Sequence, residues 1–582
     1  MPASTLTHPS QIPGAVSPPR PTSRQDLDRA VERLRDGAPR FAKLSLDQRV
    51  ALLRSMQTGY LRVAEETVKA AAHARDFRLG TSEEGEAWAL GPWAVVRHLR
   101  LLQQSLLSLK QTGNTPIGKV GRTIDGRLAA QVFPASGIDK TLFAGVRMDV
   151  HLQPGVSEAN LESGRARFYK APGHQGSVAL VLGAGNVDAI VSMDVSTKLF
   201  NEGKVCLVKM NPVNAYLGPF LELAYAEPIA QGFLAVVYGG AEEGEYLVNH
   251  PGIDEVHVTG SINTYERLMW GPPGPQQEAR KASGQPLLQK PLTAELGNVS
   301  PVLIVPGPYT EKELQFQAED IAGAIICNGS YNCAAVRMIV TPRGWSRRPA
   351  FLQGLEQRLG EARVRRAYYP GAMDRWRTLT QGRTNAKYFG EAGPDRIPWT
   401  LLTDLDPNDR DELAFSMEPF CPLCSETQVG SEDPIEFLDQ AVRFANDRLW
   451  GTLSAGLVVH PKSMKDPKIA EAVEQAITRL RYGVVSVNGW TGTCFGVGNT
   501  PWGGHPSSTL TDIQSGSGWV HNAPMIEGIE KAVVRNPLTV TPKPVYAPSH
   551  RSANPLMRRL TFLEENSSWV RVPGVIAAAM RA

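Results

Sequence analysis

The sequence predicts an α/β protein built from two doubly wound units, each with a parallel sheet. Four short apolar runs follow one another at similar intervals, and each ends in turn-forming residues such as Gly183-Ala-Gly185 or Asn211-Pro212. The runs are Val178–Leu182, Val205–Val208, Leu234–Val237 and Val256–Val258. A helical pattern joins the first two, and buried strands that alternate with helices are typical of a parallel sheet. Ligands of such sheets bind where the strands end.

A second unit of the same kind begins near Pro291. Its predicted strands are Val302–Val305, Met338–Val340, Ser454–Val459 and Gly483–Val487. A helix over Glu311–Ile326 separates the first two strands. This arrangement repeats the strand–helix–strand order of the first unit.

The flanking segments are of a different character. Residues 1–24 are rich in Pro, Ser and Thr, and we predict a disordered tail there. Helical patterns fill Arg24 to about Leu109, and a loop is predicted from Thr115 to Asp125. Alternating residues from Met148 to Pro154 predict a half-buried strand, and Leu538-Thr539-Val540 predicts a short one.

Composition excludes several classes of protein. The 61 basic and 58 acidic residues leave a net charge of +3, without the basic excess of a protein that neutralises nucleic acid. Six cysteines in 582 residues imply no disulfide framework and fit a reducing compartment. The first residues lack a secretory signal, and no apolar run is long enough to span a membrane. We therefore expect a cytoplasmic protein.

The turn Gly183-Ala-Gly185-Asn186 is the first candidate for chemistry. A GxG between a strand and a helix suggests a dinucleotide turn, but Asp188 replaces the third glycine and would repel a pyrophosphate. The next strand ends in Lys209 rather than in an acidic residue. A plain tight turn is the stronger interpretation of the motif. The amide of Asn186 is a separate candidate, as a donor to a developing oxyanion.

Two further residues are candidates for catalysis. Cys333 ends the polar stretch Asn328-Gly-Ser-Tyr-Asn, from which a thiol could face a cleft, although a lone cysteine is usually a buried apolar residue. Glu295 lies at the junction of the two units, where it is either a solvated loop residue or a general base. The pair Cys421 and Cys424 has CxxC spacing but no second pair to complete a zinc site.

Taken together, the motifs resemble those of the aldehyde dehydrogenase superfamily, of which this chain is identified as a divergent member. The resemblance runs from about Gly176 to Gly504 in matching order. The matching segments are the turn ending in Asn186, the strand ending in Lys209, Val258-Thr-Gly-Ser261, Glu295-Leu-Gly-Asn298, Asn328-Gly-Ser-Tyr-Asn-Cys333, Glu418-Pro-Phe420-Cys-Pro422, Asn446-Asp-Arg-Leu-Trp-Gly451 and Pro501-Trp-Gly-Gly504.

The resemblance implies roles for these residues. Cys333 would attack an aldehyde, and the oxyanion would be held by the Asn186 amide and the Cys333 backbone N–H. Hydride transfer to NAD or NADP would leave a thioester, which Glu295 would hydrolyse through a water. The cofactor residues implied are Lys209, Gly260, Ser261, Glu418 and Phe420, with Lys209 and Glu418 on ribose hydroxyls. No metal is implied.

Departures from the family pattern leave alternatives open. The residues before Cys333 are unusual, with Ser330 and Tyr331 in place of Gly and Gln. Pro212 stands where NAD-preferring members often carry a ribose-binding Glu, so NADP is also expected to fit. One alternative is an acylating enzyme or reductase that exchanges the thioester with coenzyme A, although Glu295 favours hydrolysis. Another is a non-catalytic homologue that acts as a binding subunit.

The resemblance also implies a domain plan and an assembly. The plan is a tail over 1–24, a cofactor-binding domain over 25–129 and 161–294, an oligomerisation β element over 130–160 and 530–545, a catalytic domain over 295–507 and a C-terminal extension over 546–582. We expect a homodimer or homotetramer with a small aldehyde as substrate and no nucleic-acid or membrane partner. Candidate walls of the substrate pocket are Trp270, Tyr331, Trp490 and Phe495, which suggest an apolar or aromatic aldehyde.

Overall fold

A computed structural model describes residues 19–171 and 173–581. The first 18 residues of the tail predicted over 1–24 lie outside the described residues, and a helix begins at Arg24. The strands, in chain order, are β1 Val120–Arg122, β2 Leu128–Phe133, β3 Arg147–Leu152, β4 Val178–Leu182, β5 Val205–Lys209, β6 Leu234–Val237, β7 Glu255–Thr259, β8 Leu292–Glu295, β9 Pro301–Ile304, β10 Met338–Pro342, β11 Ala386–Phe389, β12 Trp399–Leu405, β13 Leu423–Val429, β14 Ser454–Val458, β15 Val484–Val487, β16 Gly516–Ser517 and β17 Ile529–Arg535.

The first predicted unit forms a six-stranded sheet in the order β16-β8-β7-β4-β5-β6. Its five long strands run parallel, and only the short β16 is antiparallel. β4 and β5 are apolar and buried, as expected for central strands covered by helices on both faces. The four predicted strands are confirmed, and their carboxyl ends lie along one edge.

The second predicted unit belongs to an eleven-stranded sheet in the order β1-β2-β3-β17-β15-β14-β9-β10-β13-β12-β11. The seven strands from β17 to β12 run parallel, whereas β1, β2, β3 and β11 pair antiparallel at the two ends. The strands of the predicted oligomerisation element therefore continue this sheet through β17. Their role in assembly stays a prediction.

Helices cover both sheets. They are α1 Arg24–Ala42, α2 Leu46–Arg75, α3 Ser82–Trp88, α4 Ala94–Thr112, α5 Gly137–Leu142, α6 Glu158–Gly164, α7 Arg167–Lys170, α8 Asp188–Ser196, α9 Gly218–Ala224, α10 Ala226–Ala230, α11 Ala241–Asn249, α12 Ile262–Trp270, α13 Pro275–Ser283, α14 Glu311–Ile326, α15 Arg348–Glu361, α16 Ala372–Thr380, α17 Leu413–Ser416, α18 Pro434–Arg448, α19 Pro467–Arg479, α20 Gly492–Val497, α21 Ala553–Leu563 and α22 Val572–Ala579. Within the part of the chain that the structure describes, no helix meets the length and apolarity that a bilayer crossing requires.

The C-terminal extension folds onto the N-terminal helices. α21 packs against α3, and Glu564 at its end is buried between Arg97 and Arg100 of α4. Because α4 also packs on α2 and α8, the two ends of the chain share one apolar core.

Two predictions of local structure are wrong. The loop predicted from Thr115 to Asp125 contains β1, which is stabilised by antiparallel pairing with β2 at the sheet edge. The segment 538–540 is not a strand, because Pro537 and Pro542 flank it and cannot donate to a ladder. The strand of this region is β17, which ends at Arg535.

Candidate active site

The backbone after α14 presents Cys333. Asn328, Gly329 and Ser330 all have positive φ, at 57°, 64° and 71°, so the chain turns sharply as it leaves the helix. Buried Arg337 fixes this turn, because its Nη1 donates to Ser330 Oγ at 2.7 Å and to the Cys421 carbonyl at 2.9 Å. The thiol of Cys333 is thereby placed at the edge of a cavity.

Glu295, the last residue of β8, faces Cys333 from the other sheet. The Sγ of Cys333 lies 3.3 Å from Glu295 Oε1, and Trp502 Nε1 donates to the same oxygen at 2.8 Å. Glu295 Oε2 is buried and has no hydrogen-bond partner among the residues described. The two candidate catalytic groups are thus in direct contact, with one carboxylate oxygen free to accept another proton donor.

Burial shifts the proton affinities of both groups. It raises the pKa of Glu295 to about 7, assisted by the charge of Asp194. Burial and the neighbouring Glu295 carboxylate hold the pKa of the Cys333 thiol well above its usual range. In this state the thiol keeps its proton, and Glu295 is a base near neutral pH.

The turn that carries Asn186 is tied to the turn that carries Cys333. Asn186 Nδ2 donates to the Tyr331 carbonyl at 3.2 Å, and Asn328 Nδ2 donates to the Asn186 carbonyl at 2.8 Å. Asp188 forms a buried ion pair with Arg75 of α2. Its charge is therefore compensated within the protein, which removes the repulsion of a pyrophosphate expected from the sequence.

All eight predicted site residues line one cavity of about 1000 Å³. They are Cys333, Glu295, Asn186, Lys209, Gly260, Ser261, Glu418 and Phe420. The cavity runs along the carboxyl ends of β4, β5, β7 and β8, where the fold class predicts a ligand. Lys209 ends β5, and the Ser261 hydroxyl caps α12 by accepting from the Thr264 N–H.

Glu418 enters the cavity beside Gly297. A Cβ built on Gly297 would lie 1.8 Å from Glu418 Oε2, so only glycine leaves room for this carboxylate. Burial raises the pKa of Glu418 to about 7, although the Arg337 charge opposes the shift. Glu418 Oε1 is also buried and lacks a hydrogen-bond partner within the described ranges, as expected of a group that meets a polar ligand.

Comparisons with known proteins agree with this geometry. The model of the aldehyde dehydrogenase family matches residues 203–373, which include Lys209, Glu295 and Cys333. The chain is similar to aminoacetaldehyde dehydrogenase of Pseudomonas aeruginosa, at 27% identity over 321 residues. That match covers 52% of this chain and 56% of the relative. A match to 4-trimethylaminobutyraldehyde dehydrogenase of Oryzias latipes has 29% identity over 168 residues and covers 28% and 29% of the two chains.

Solved structures share the fold over most of the chain. A glyceraldehyde-3-phosphate dehydrogenase of Bacillus halodurans complexed with NADP aligns with a TM-score of 0.59 at 17% identity, covering 88% of this chain and 92% of that one. A mutant of aldehyde dehydrogenase C of Pseudomonas syringae complexed with NAD+ and octanal aligns with a TM-score of 0.59 at 18% identity. This alignment covers 88% of this chain and 89% of that one. The chain is therefore similar to aldehyde dehydrogenases in the sequence of residues 203–373 and in the fold of most of its length.

The aldehyde dehydrogenase fold predicted from the motifs is therefore confirmed. The sequence match to the curated relatives is shorter, since the chain spans 56% of the first and 29% of the second. The structural likeness, by contrast, extends over both sheets.

The prediction of the pocket walls is wrong. None of Trp270, Tyr331, Trp490 and Phe495 is among the residues that line the described cavity of Cys333. Trp270 and Tyr331 are buried at 0% and 1% exposure, and the indole of Trp490 donates to the Ala334 carbonyl. These aromatic side chains pack inside the protein. The aromatic residues that do line the cavity are Tyr369, Phe420 and Trp450.

Several residues of the site were not predicted from the sequence. Trp502 lies in the motif Pro501-Trp-Gly-Gly504, but the motif alone does not show that its indole reaches Glu295. Arg75 is far from the motifs in sequence, and the fold brings it to Asp188. Arg337 follows Cys333 by four residues, but the sequence does not show that its side chain turns back to Ser330. Buried Asp194 faces Glu295 from α8, and no spacing signal indicates this.

Proposed function

We propose that this protein oxidises an aldehyde to a carboxylate with NAD or NADP, through a thiohemiacetal and a thioester on Cys333. The observation that carries the proposal is the 3.3 Å contact between Cys333 Sγ and Glu295 Oε1 inside the cavity. A buried nucleophile in contact with a base is the arrangement that covalent catalysis requires.

The cavity fits a nicotinamide dinucleotide. It extends from Cys333 to Lys209 along strand ends that carry Gly183, Gly260 and Gly297, where backbone can approach a ligand closely. Lys209 and the Glu418 carboxylate would hold ribose hydroxyls, and Ser261 with its helix N-terminus would hold the pyrophosphate. When bound, the cofactor supplies the hydride acceptor.

The residues of the chain account for the other steps. Glu295 accepts the thiol proton, and the resulting thiolate of Cys333 attacks the aldehyde carbon. The Asn186 amide and the Cys333 backbone N–H stabilise the oxyanion. Once the carbon is oxidised, the acyl group is held on Sγ as a thioester. Glu295 then takes a proton from a water, whose oxygen bonds to the acyl carbon as the carbon–sulfur bond breaks. The leaving sulfur takes up a proton to restore the thiol, and the carboxylic acid product ionises.

Glu295 also bears on the two alternatives. A base in contact with the nucleophile supports hydrolysis of the thioester over its transfer to coenzyme A. The same contact is not needed by a binding subunit without catalytic activity. We therefore favour aldehyde oxidation over the acylating enzyme or reductase and over the non-catalytic binding subunit.

The cofactor preference and the assembly belong to the same proposal. Asn211 and Pro212 line the cavity beyond Lys209, and neither carries a charge that repels a 2′-phosphate, so we propose that NADP is accepted as well as NAD. We further propose that the protein is cytoplasmic. We also propose that it is a homodimer or homotetramer, since the sheet edges at β1 and β6 offer pairing surfaces. Light scattering on the purified protein measures the assembly.

The test is an absorbance assay for the reduced nicotinamide with a panel of aldehydes. The panel includes aminoaldehydes, since two similar proteins are named for such substrates, and aliphatic and aromatic aldehydes. Each is run with NAD and with NADP. The wild type is expected to reduce cofactor, and Cys333→Ala is expected to be inactive.

Two variants sharpen the assay. Glu295→Gln is expected to lose roughly 10²-fold or more in turnover, the usual contribution of a general base. Cys206→Ala removes a buried cysteine of β5 and is the matched control, with activity like that of the wild type. Cofactor reduction by Cys333→Ala at the rate of the wild type would contradict the proposal, and so would inactivity of the wild type on the whole panel.

A further inference from the structure

In the proposed reaction Glu295 must release the protons that it takes up before it can act as a base again. Converting an aldehyde, a water and NAD(P)+ to a carboxylate and the reduced cofactor releases two protons per turnover. In the proposed mechanism Glu295 takes up one proton from the Cys333 thiol and later one from the water, yet its side chain is buried at 3% exposure. The protons must therefore leave through the protein or through the occupied cavity.

One face of the six-stranded sheet carries polar residues behind Glu295. β7 and β8 pair in register, with Thr259 opposite Glu295 and His257 opposite Thr293. Residues two apart on a strand share a face, so these four side chains form a square on one side of the sheet. His257 Nδ1 lies 2.8 Å from Thr293 Oγ1 and its Nε2 lies 3.3 Å from Thr259 Oγ1.

Asp194 of α8 covers this square. Its Oδ2 accepts from Thr259 Oγ1 at 3.0 Å and lies 3.5 Å from His257 Nε2. Asp194 has 0% exposure and carries no arginine or lysine partner in the described chain. A buried carboxylate needs compensation, and here it comes from the Thr259 hydroxyl and from the rings of His257 and His521 beside it.

The line of polar groups continues to the surface. Lys198 Nζ lies 3.4 Å from Thr293 Oγ1 and donates to Glu202 Oε1 at 2.9 Å. Lys198 is buried, whereas the Glu202 side chain is 29% exposed and also accepts from Lys204 at 2.6 Å. Polar atoms thus follow one another from Thr259, the register partner of Glu295, to Glu202 at the surface.

Other charged and titratable groups face this line. Those beside Glu295 are Cys333 and Glu418, and those around Asp194 and Lys198 are His521, His98, Glu255 and Lys204. His521 Nε2 lies 3.7 Å from Asp194 Oδ1, and His98 packs against the His521 ring. Neither histidine contacts Thr293 or Lys198 through a hydrogen bond in the described residues, so both lie beside the line rather than on it.

We propose that protons taken up by Glu295 leave the active site through Thr259, the Asp194–His257 pair, Thr293 and Lys198 to Glu202 at the surface. This relay rests on the proposed function. In each transfer one O–H or N–H bond breaks as the next forms, so Glu295 returns to the carboxylate and the proton ends on Glu202 or solvent. Thr259 lines the described cavity, whereas the other residues of the relay lie outside its lining and act by restoring the base.

Hydrolysis of 4-nitrophenyl acetate by the full chain, without cofactor, tests the relay. Acylation of Cys333 releases nitrophenolate in a burst, and the later steady rate reports thioester hydrolysis with discharge of Glu295. Thr293→Val keeps the shape of the strand but removes the hydroxyl between His257 and Lys198. We expect its burst to be intact and its steady rate to fall about 10-fold, a modest share of a general acid–base contribution.

Thr293→Ser restores the hydroxyl and is expected to restore the steady rate. The slowed rate of Thr293→Val is also expected to become more sensitive to D₂O than that of the wild type, because proton departure then limits turnover. A purely structural role of Thr293 would not produce this change. Thr427→Val, which removes a buried strand hydroxyl that donates to the Leu405 carbonyl in the other sheet, is the matched control.

The substitution Lys198→Met interrupts the proposed relay at a second position. It removes the ammonium group while Lys204 still pairs with Glu202 and Glu255, and the same loss of steady rate is expected. An intact burst with an unchanged steady rate in both Thr293→Val and Lys198→Met would overturn the relay alone. A missing burst in the wild type would overturn the cysteine chemistry of the proposed function, and the relay with it.

Discussion

The indole of Trp502 donates a 2.8 Å hydrogen bond to the Glu295 oxygen that lies 3.3 Å from the Cys333 sulfur. Glu295 Oε1 therefore accepts from the Trp502 indole and from the Cys333 thiol at the same time. The donor stabilises the carboxylate form and opposes the burial that raises the pKa of Glu295 to about 7. The hydrogen bond from Trp502 therefore lowers the pKa of Glu295.

Removing this donor is expected to weaken the base function at neutral pH. In Trp502→Phe the pKa of Glu295 rises further, so a larger fraction is protonated at pH 7 and the rate falls. The acidic limb of the rate–pH profile is expected to move to higher pH, which steady-state assays across pH measure. Trp399→Phe, a buried indole that donates to the Arg363 carbonyl, controls for loss of a tryptophan. An unmoved limb in Trp502→Phe would contradict this account.

Gly297→Ala is expected to displace Glu418 and weaken cofactor binding. The new Cβ would lie 1.8 Å from Glu418 Oε2, a distance that no side chain tolerates. We expect the KM for the cofactor to rise about 10-fold with a smaller change in kcat, as for lost ground-state binding. Gly360→Ala on α15, whose Cβ would lie 3.9 Å from the Phe389 ring, is the control. Equal cofactor KM values in the two variants would show that Glu418 does not bind the cofactor.

His98 is expected to limit stability in acid. Burial and then the neighbouring His521 lower the pKa of His98 to about 3, and its ring nitrogens have no hydrogen-bond partner in the described structure. The unfolded chain takes up a proton below about pH 6.5 and the folded chain does not. The contribution of the neutral His98 ring to the free energy of unfolding is therefore fully present above about pH 6.5 and is lost as the pH falls toward 3.

Urea unfolding of His98→Leu at pH 8 and pH 5 measures this contribution. The loss of unfolding free energy between these pH values should be about 2 kcal/mol smaller in the variant than in the wild type. His174→Gln, at an exposed position, is the control. Parallel losses in His98→Leu and wild type would assign the acid sensitivity to other groups.

Glu564→Ala is expected to destabilise the protein strongly. Glu564 accepts from Arg97 and Arg100, and all three side chains are under 10% exposed. Removing one member of a buried ion pair leaves uncompensated charge and typically costs about 3–5 kcal/mol. The adjacent Glu565 pairs with Arg571 at the surface, where Glu565→Ala should cost about 0–1 kcal/mol. Thermal unfolding compares the two, and similar midpoints would show that the C-terminal helices do not stabilise the core.

The sequence by itself determined the parallel strands, their turns and the motif residues. β4, β5, β6 and β7 were predictable because an apolar run ended by Gly, Asn or Ser is a local signal. The eight site residues were predicted from the resemblance of their motifs to those of a known family, and each motif is local in the chain. Glycine also marked where a ligand or a carboxylate approaches the backbone.

Only the tertiary structure decided which groups work together. Trp502 and Glu295 are separated by 207 residues and Asp194 and Thr259 by 65, and the contacts between them arise from sheet register and helix packing. The same is true of the four aromatic residues Trp270, Tyr331, Trp490 and Phe495, which are buried in the packed interior. The error at 538–540 is of another kind, because the prolines that flank the segment are visible in the sequence. Local sequence specifies backbone preference and burial, whereas the partners of a buried charge depend on segments that meet only when the chain is folded.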